Sequence, residues 1–158
     1  MSNVKTNAMR VLDKAGIDYK TYSYDCSDGL IDGISAAKKI DKAPEIVYKT
    51  LVTQGTSREY YVFVIPVGKE LNLKAAAKAV GEKSVEMIKV TAINNITGYI
   101  RGGCSPIGMK KLFKTVIDTS CHQLETFIIS AGKIGYQIEL CPEALIKLIN
   151  CTTFSITD

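Results

Sequence analysis

Two stretches hold the residue types from which a reactive site could be built. The first, TGYIRGGCSPIGMKK at 97–111, sets a cysteine and a serine among four glycines. Arg101 precedes the cysteine, Lys110 and Lys111 close the run, and no acid lies between Arg101 and Lys114. Three chemistries suit such a loop: a thiolate nucleophile at Cys104, a metal ligand, or a backbone whose N–H groups hold a phosphate or a developing oxyanion. Gly102 and Gly103 permit a close approach to a ligand, and Pro106 stiffens the exit. A tight turn with no ligand is the plain alternative. The second stretch is EIVYKTLVTQ at 45–54, where Lys49 sits inside an apolar strand with Val47 and Leu51 as same-face neighbours. A lysine emerging from an apolar face into a pocket suits phosphate or carboxylate binding.

Other chemistries are poorly served. A Ser or Cys nucleophile needs a base beside it, and the only histidine is His122, in DTSCHQLE, which reads as an exposed turn between strands. GCSPIG is not the GxSxG elbow and lacks the GK[ST] of a P-loop. The five cysteines (26, 104, 121, 141, 151) contain no CxxC pair. With one histidine they offer too few ligands at useful spacing for structural zinc. Free thiols in a reducing compartment are expected, with no metal and no cofactor.

The 158 residues suit one domain, 1–158, able to bury roughly 70% of its unfolded surface. Hydrophobic content of 46% with 23% charge is that of an ordinary globular protein. No apolar run approaches the ~20 residues that span a bilayer. The polar start, MSNVKTNAMRVLDKAG, lacks a signal peptide's apolar segment, so a cytoplasmic protein away from membranes is expected. The net charge of +4 is mild but clustered. Besides the 101–114 run, Lys69, Lys74, Lys78, Lys83 and Lys89 face only Glu70, Glu82 and Glu86. A polyanionic partner fits such clustering, as does simple solvated surface.

These residues need elements to hold them. Val4, Ala8, Leu12 and Ala15 share a helical face that Gly16 ends. Strands are expected at 17–24, 47–53, 59–67, 85–90, 115–118, 126–132 and 136–140. EYYVFVIPV at 59–67 is the clearest of them, being β-branched and aromatic, and QGTSR joins it to the preceding strand as a hairpin. A short helix is expected at 32–40. LNLKAAAKAVG makes another, capped by Asn72 and stopped by Gly81. Residues 91–98 read as turns, KIG at 133–135 as a tight turn, and Pro142 opens a closing helix. Hairpin-length connections favour an α+β fold: a single domain with a mixed, largely antiparallel curved sheet flanked by helices.

Taken in order, VYKTLV (47–52), VFVIPV (62–67), ELNLKAAAKAVGEKSVEMI (70–88), TGYIRGGCSPIGMKK (97–111) and SAGKIGYQIEL (130–140) resemble the YbaK/EbsC-type Cys-tRNA(Pro) deacylases, relatives of the editing domain inserted in some prolyl-tRNA synthetases. The resemblance runs from TNAMRVLDKAGI to the closing helix. It implies a trans-editing enzyme that removes cysteine mischarged onto tRNA(Pro), an error a pocket cannot exclude on size alone. It also implies chemistry without a protein nucleophile: the substrate's thiol attacks its own ester, which is formally nearer to a lyase than a hydrolase.

Carried onto this chain, the resemblance implies catalytic roles for Lys49 and for the backbone of Gly102 and Gly103. Tyr24, Thr50, Ser130 and Gln137 would bind substrate. Gln137 stands where some members have an acid, which puts any charge role there in doubt. Arg101, Lys110, Lys111, Lys74 and Lys78 would meet tRNA phosphates, which give affinity without sequence information. Prolyl-tRNA synthetase is the implied partner. Members carry other residues, isoleucine among them, at the position of Cys104, which makes this thiol a bystander in a loop that acts through its backbone. A water-using deacylase of another specificity, such as for Ala-tRNA(Pro), and a non-catalytic tRNA- or synthetase-binding module are the alternatives. A thiol-redox protein is disfavoured by the lack of CxxC.

Overall fold

The structure, a computed structural model, describes residues 4–158. Helix α1 (Asn7–Ala15) is capped by the Thr6 hydroxyl, which accepts from Met9 N–H, and it ends at Gly16. Its buried stripe is Ala8, Met9 and Leu12, so Met9 faces inward where the spacing had placed Ala15. Strand β1 (Lys20–Ser23) leads to α2 (Gly33–Lys39), and the hairpin β2 (Tyr48–Gly55) and β3 (Tyr60–Pro66) follows. Helix α3 (Leu73–Val80) has Asn72 as its cap, accepting from Ala75 N–H at 3.0 Å, and Gly81 as its stop. After β4 (Val85–Met87) comes a short helix, α4 (Ile93–Thr97), in the segment expected to be turns. Residues 98–113 contain neither helix nor strand. Strands β5 (Lys114–Asp118), β6 (Phe127–Ser130) and β7 (Tyr136–Leu140) precede α5 (Pro142–Ile149) and β8 (Thr152–Phe154).

The α+β class holds, but the strands divide into two sheets. One is antiparallel in the order β1-β7-β6; the other is mixed, in the order β4-β2-β3-β5-β8. Four pairings are antiparallel, while β3–β5 and β5–β8 are parallel. The sheets meet at a single parallel bridge, Val47 to Ile128. Strand β8 escapes local pattern reading because it is three residues long and its partner, β5, lies far back in the chain.

The core follows the two-residue period of β2 and β3. Val62 and Val64 face a large cluster with α1, Ile107, Phe127 and Leu145. Phe63 and Ile65 face a second, closed by Ala76, Ala77 and Val80 of α3. A third, Ala37, Val47, Val67 and Ile128, seats α2 over the junction of the sheets. That junction is where the site lies.

Candidate active site

A cleft of about 660 Å³ opens between α2 with its preceding turn, the edge of β2, the 101–104 loop and the β6–β7 hairpin. Its apolar wall is Ile34, Ala36, Val47 and Val67, and its polar residues include Lys49, Thr50, Arg101, Ser130 and Gln137. Ser130 and Gln137, from motifs separated in sequence, are cross-strand partners in the hairpin.

Strand β2 supplies the central feature. Hydrogen bonds from Val67 N–H to Val47 O and from Gly55 N–H to Glu59 O fix the alternation of the ladder with β3. Odd-numbered β2 residues therefore aim their backbone groups at β3 and even-numbered ones aim away. On the far side β4 pairs only with Thr53–Gly55, and Ile88 N–H reaches Val52 O at 3.2 Å. Strand β6 approaches the same edge at the Val47–Ile128 bridge, so Thr50 lies between the stretches of β2 that β6 and β4 take. Its side-chain hydroxyl is buried with no hydrogen-bond partner. Buried polar groups are nearly always satisfied, so an orphan lining a cleft marks a place for a ligand's polar atom. Beside it, the half-buried Lys49 makes no ion pair or hydrogen bond with any described residue.

The loop places only part of itself in the cleft. Arg101, Gly102 and Cys104 line it. Gly102 has φ +85°, and a Cβ there would come within 2.8 Å of Ile31 Cδ1. Gly103 is turned into the wall: its N–H donates to Ile100 O at 3.0 Å, and a Cβ would meet Ile134 N at 2.9 Å. Gly102 is thus brought to the site and Gly103 is not. Burial pushes the Cys104 thiol up to about 11, a rise that the nearby Thr97 hydroxyl reduces, so the group is protonated at neutral pH. Asp32, the one carboxylate of the lining, caps α2 by accepting from Ser35 N–H and Ser35 Oγ, which hold its pKa below the usual range. His122 is half-exposed, 3.0 Å by Nε2 from Thr153 Oγ1, and is not part of the lining.

The remaining sequence candidates fall elsewhere. Tyr24 is not part of the lining; its N–H is bonded to Gly135 O, and its buried hydroxyl has no partner. Lys74 and Lys78 are exposed on α3, and Lys110 and Lys111 are exposed beyond the loop; none of the four lines the cleft. Among the described residues no three His, Cys, Asp or Glu side chains gather as metal ligands, and no helix is long and apolar enough to cross a membrane.

Sequence reasoning missed two devices. The Lys39 ammonium gathers Asp25 O, Asp28 Oδ1 and Leu30 O at 2.7, 2.7 and 3.1 Å, fixing the turn that carries Ile31 to the cleft. The Asp-Cys-Ser-Asp-Gly run was its visible signal, since such aspartates cap their own turns. Tyr99 sits beneath both cleft loops. Its hydroxyl donates to Ile107 O, and a Cβ on Gly132 would come within 2.9 Å of its ring.

The comparisons with known proteins come from sequence and from fold. A family model for the aminoacyl-tRNA editing domain matches residues 32–148. A protein of Enterococcus faecalis, provisionally named the Cys-tRNA(Pro)/Cys-tRNA(Cys) deacylase EbsC, is 45% identical over 153 residues, which is 97% of this chain and 93% of that protein. A solved structure provisionally named a trans-editing enzyme for prolyl tRNA synthetase superposes with a TM-score of 0.82 at 18% identity, covering 98% of this chain and 99% of that one. A hypothetical protein superposes with a TM-score of 0.86, also at 18% identity, covering 94% and 97%. At those identities the structural likeness is one of fold.

Proposed function

The chain belongs to the aminoacyl-tRNA editing domain family, and from that membership we propose that it is a trans-editing deacylase clearing cysteine from Cys-tRNA(Pro), and by extension from Cys-tRNA(Cys), in cytoplasmic translation quality control. The observation that carries this reading is a cleft lined both by Lys49, which has no ion-pair partner among the described residues, and by Thr50, whose buried hydroxyl bonds to nothing. The name of the Enterococcus faecalis relative supports the substrate.

The lining favours a reaction driven by the substrate itself. It holds no histidine, its one cysteine is protonated, and its one carboxylate is spent on a helix cap. In the proposed step the substrate's thiol gives up its proton and attacks the ester carbonyl carbon. A carbon–sulfur bond forms, and the carbonyl oxygen takes up negative charge. Collapse breaks the bond to the ribose oxygen, which takes a proton and leaves as the free hydroxyl of the tRNA. The amino acid departs as a cyclic thioester. Lys49 and the open N–H of Gly102 stabilise the oxyanion, a contribution that depends on donors fixed in advance. Thr50, through its hydroxyl, holds the terminal adenosine, while Ser130, Gln137 and Tyr24 bind the aminoacyl group. Holding thiol and carbonyl together contributes the rest.

Arg101 at the cleft and the cations Lys74, Lys78, Lys110 and Lys111 beyond it meet tRNA phosphates, and prolyl-tRNA synthetase supplies the identity that phosphate contacts lack. The test is release of cysteine from Cys-tRNA(Pro) by the purified protein. Release that saturates with substrate is expected. An intact ester in the presence of bound tRNA would instead leave a binding module.

A further inference from the structure

A second hollow lies away from the cleft, and of its lining the function above uses only Lys111. It holds about 230 Å³ between Val11 of α1, residues 106–113, and Leu148 and Ile149 of α5. Its walls are Val11, Ile107, Met109, Leu112, Phe113 and Leu148, and Leu112 on the lip is 69% exposed. Lys111 lines the hollow, and further cations adjoin the lining along the chain. Arg10 and Lys14 flank Val11, Lys114 follows Phe113, and Lys147 precedes Leu148, all of them exposed. None of these five forms an ion pair with a described residue. The acids of these elements are otherwise engaged, Asp13 by Lys5 at 2.6 Å and Glu143 beside His122 at 3.7 Å.

We propose that this hollow docks an acidic segment of a partner protein, which inserts one apolar side chain while flanking carboxylates meet Arg10, Lys14, Lys114 and Lys147. The volume fits one or two side chains. The walls are mostly aliphatic, and the single ring among them, Phe113, is already engaged edge-on by Tyr60 at 6.0 Å. A nucleic-acid base needs a flat aromatic or guanidinium face on which to stack, so the lining selects a Leu, Ile or Phe anchor. Buried apolar anchors give such contacts their affinity, and the charged rim gives rate and selectivity.

The test uses short fluorescent peptides carrying a leucine, isoleucine or phenylalanine among glutamates, titrated against the full chain and followed by anisotropy. Saturable binding is expected, weakened about tenfold or more by Leu112→Ser or by Lys147→Glu. Replacing the apolar anchor by serine in the peptide should cost as much. Both protein positions are exposed, and unchanged thermal melts verify the fold of each variant. Binding that ignores the anchor and Leu112 would reduce the face to a plain cationic surface and overturn the proposal. So would a single-stranded RNA of matched charge that binds more tightly here and weakens with Leu112→Ser, or the absence of saturable binding by every peptide.

Discussion

At the scale of single residues the site pairs reactive-looking groups that are silent with plain ones that are available. Cys104 is the most reactive side chain by type, yet burial keeps its thiol protonated. Cys104→Ile should leave deacylation within about threefold of the parent, because no step draws on a group of that pKa. At neutral pH iodoacetamide should label the exposed Cys141 and spare Cys104, which mass spectrometry of the digest would read. Thr50 behaves oppositely. Its buried hydroxyl bonds to nothing, so Thr50→Val should hold or raise stability, by up to about 1 kcal/mol, while lowering kcat/KM roughly tenfold. A loss of stability in that variant would mean the hydroxyl is satisfied within the protein. Lys49 was legible as an oddity in an apolar strand. The partnerless Thr50 hydroxyl beside it was not, because burial depends on what packs around the strand.

Among the elements, the loop at 97–111 and the turn at 130–135 act as one unit. Gly103 packs against the backbone of Lys133 and Ile134, and Tyr99 fills the space under Gly132. Gly103→Ala forces the two apart, and overpacking against backbone costs about 1–3 kcal/mol. Its kcat should fall further than a melting shift of that size explains. Tyr99→Phe removes the bond to Ile107 O, worth about 1 kcal/mol, and the hydroxyl's interaction with the Asn7 side chain. A smaller fall in kcat, several-fold, with KM little changed is expected; steady-state kinetics beside thermal melts separates the two effects. Most elements could be read from periodicity and caps, as Asn72 and Pro142 show. Helix α4, the division into two sheets and strand β8 could not, since long-range pairing decides them. Only the resemblance singled out Ser130 and Gln137; the hairpin register makes them cross-strand partners.

For the molecule as a whole, burial of ionisable groups makes stability depend on alkaline pH. Burial raises Cys121 to about 11 and Cys151 and Tyr48 to about 12, as it does Cys104 to about 11. Each pKa is higher folded than unfolded, so the folded state holds its proton longer. The stabilisation is complete below about pH 9, the ordinary thiol value, and is lost as pH climbs through 11–12. Urea midpoints should be flat from neutrality to about pH 9 and fall above it, and Cys121→Ala should flatten that fall. Charge is distributed unevenly at this scale too: Arg101 serves the cleft, whereas Lys111 borders the second hollow. The sequence placed them in one basic run, and only the fold separates them. The most direct test is release of amino acid from Cys-tRNA(Pro), Ala-tRNA(Pro) and Ser-tRNA(Pro) side by side, by the parent protein and by Lys49→Ala. Cysteine alone should be released, and Lys49→Ala should slow that release by about a hundredfold or more, the scale of losing one oxyanion donor. Release of serine or alanine at a comparable rate, or full activity without Lys49, would contradict a thiol-assisted reaction held by this lysine.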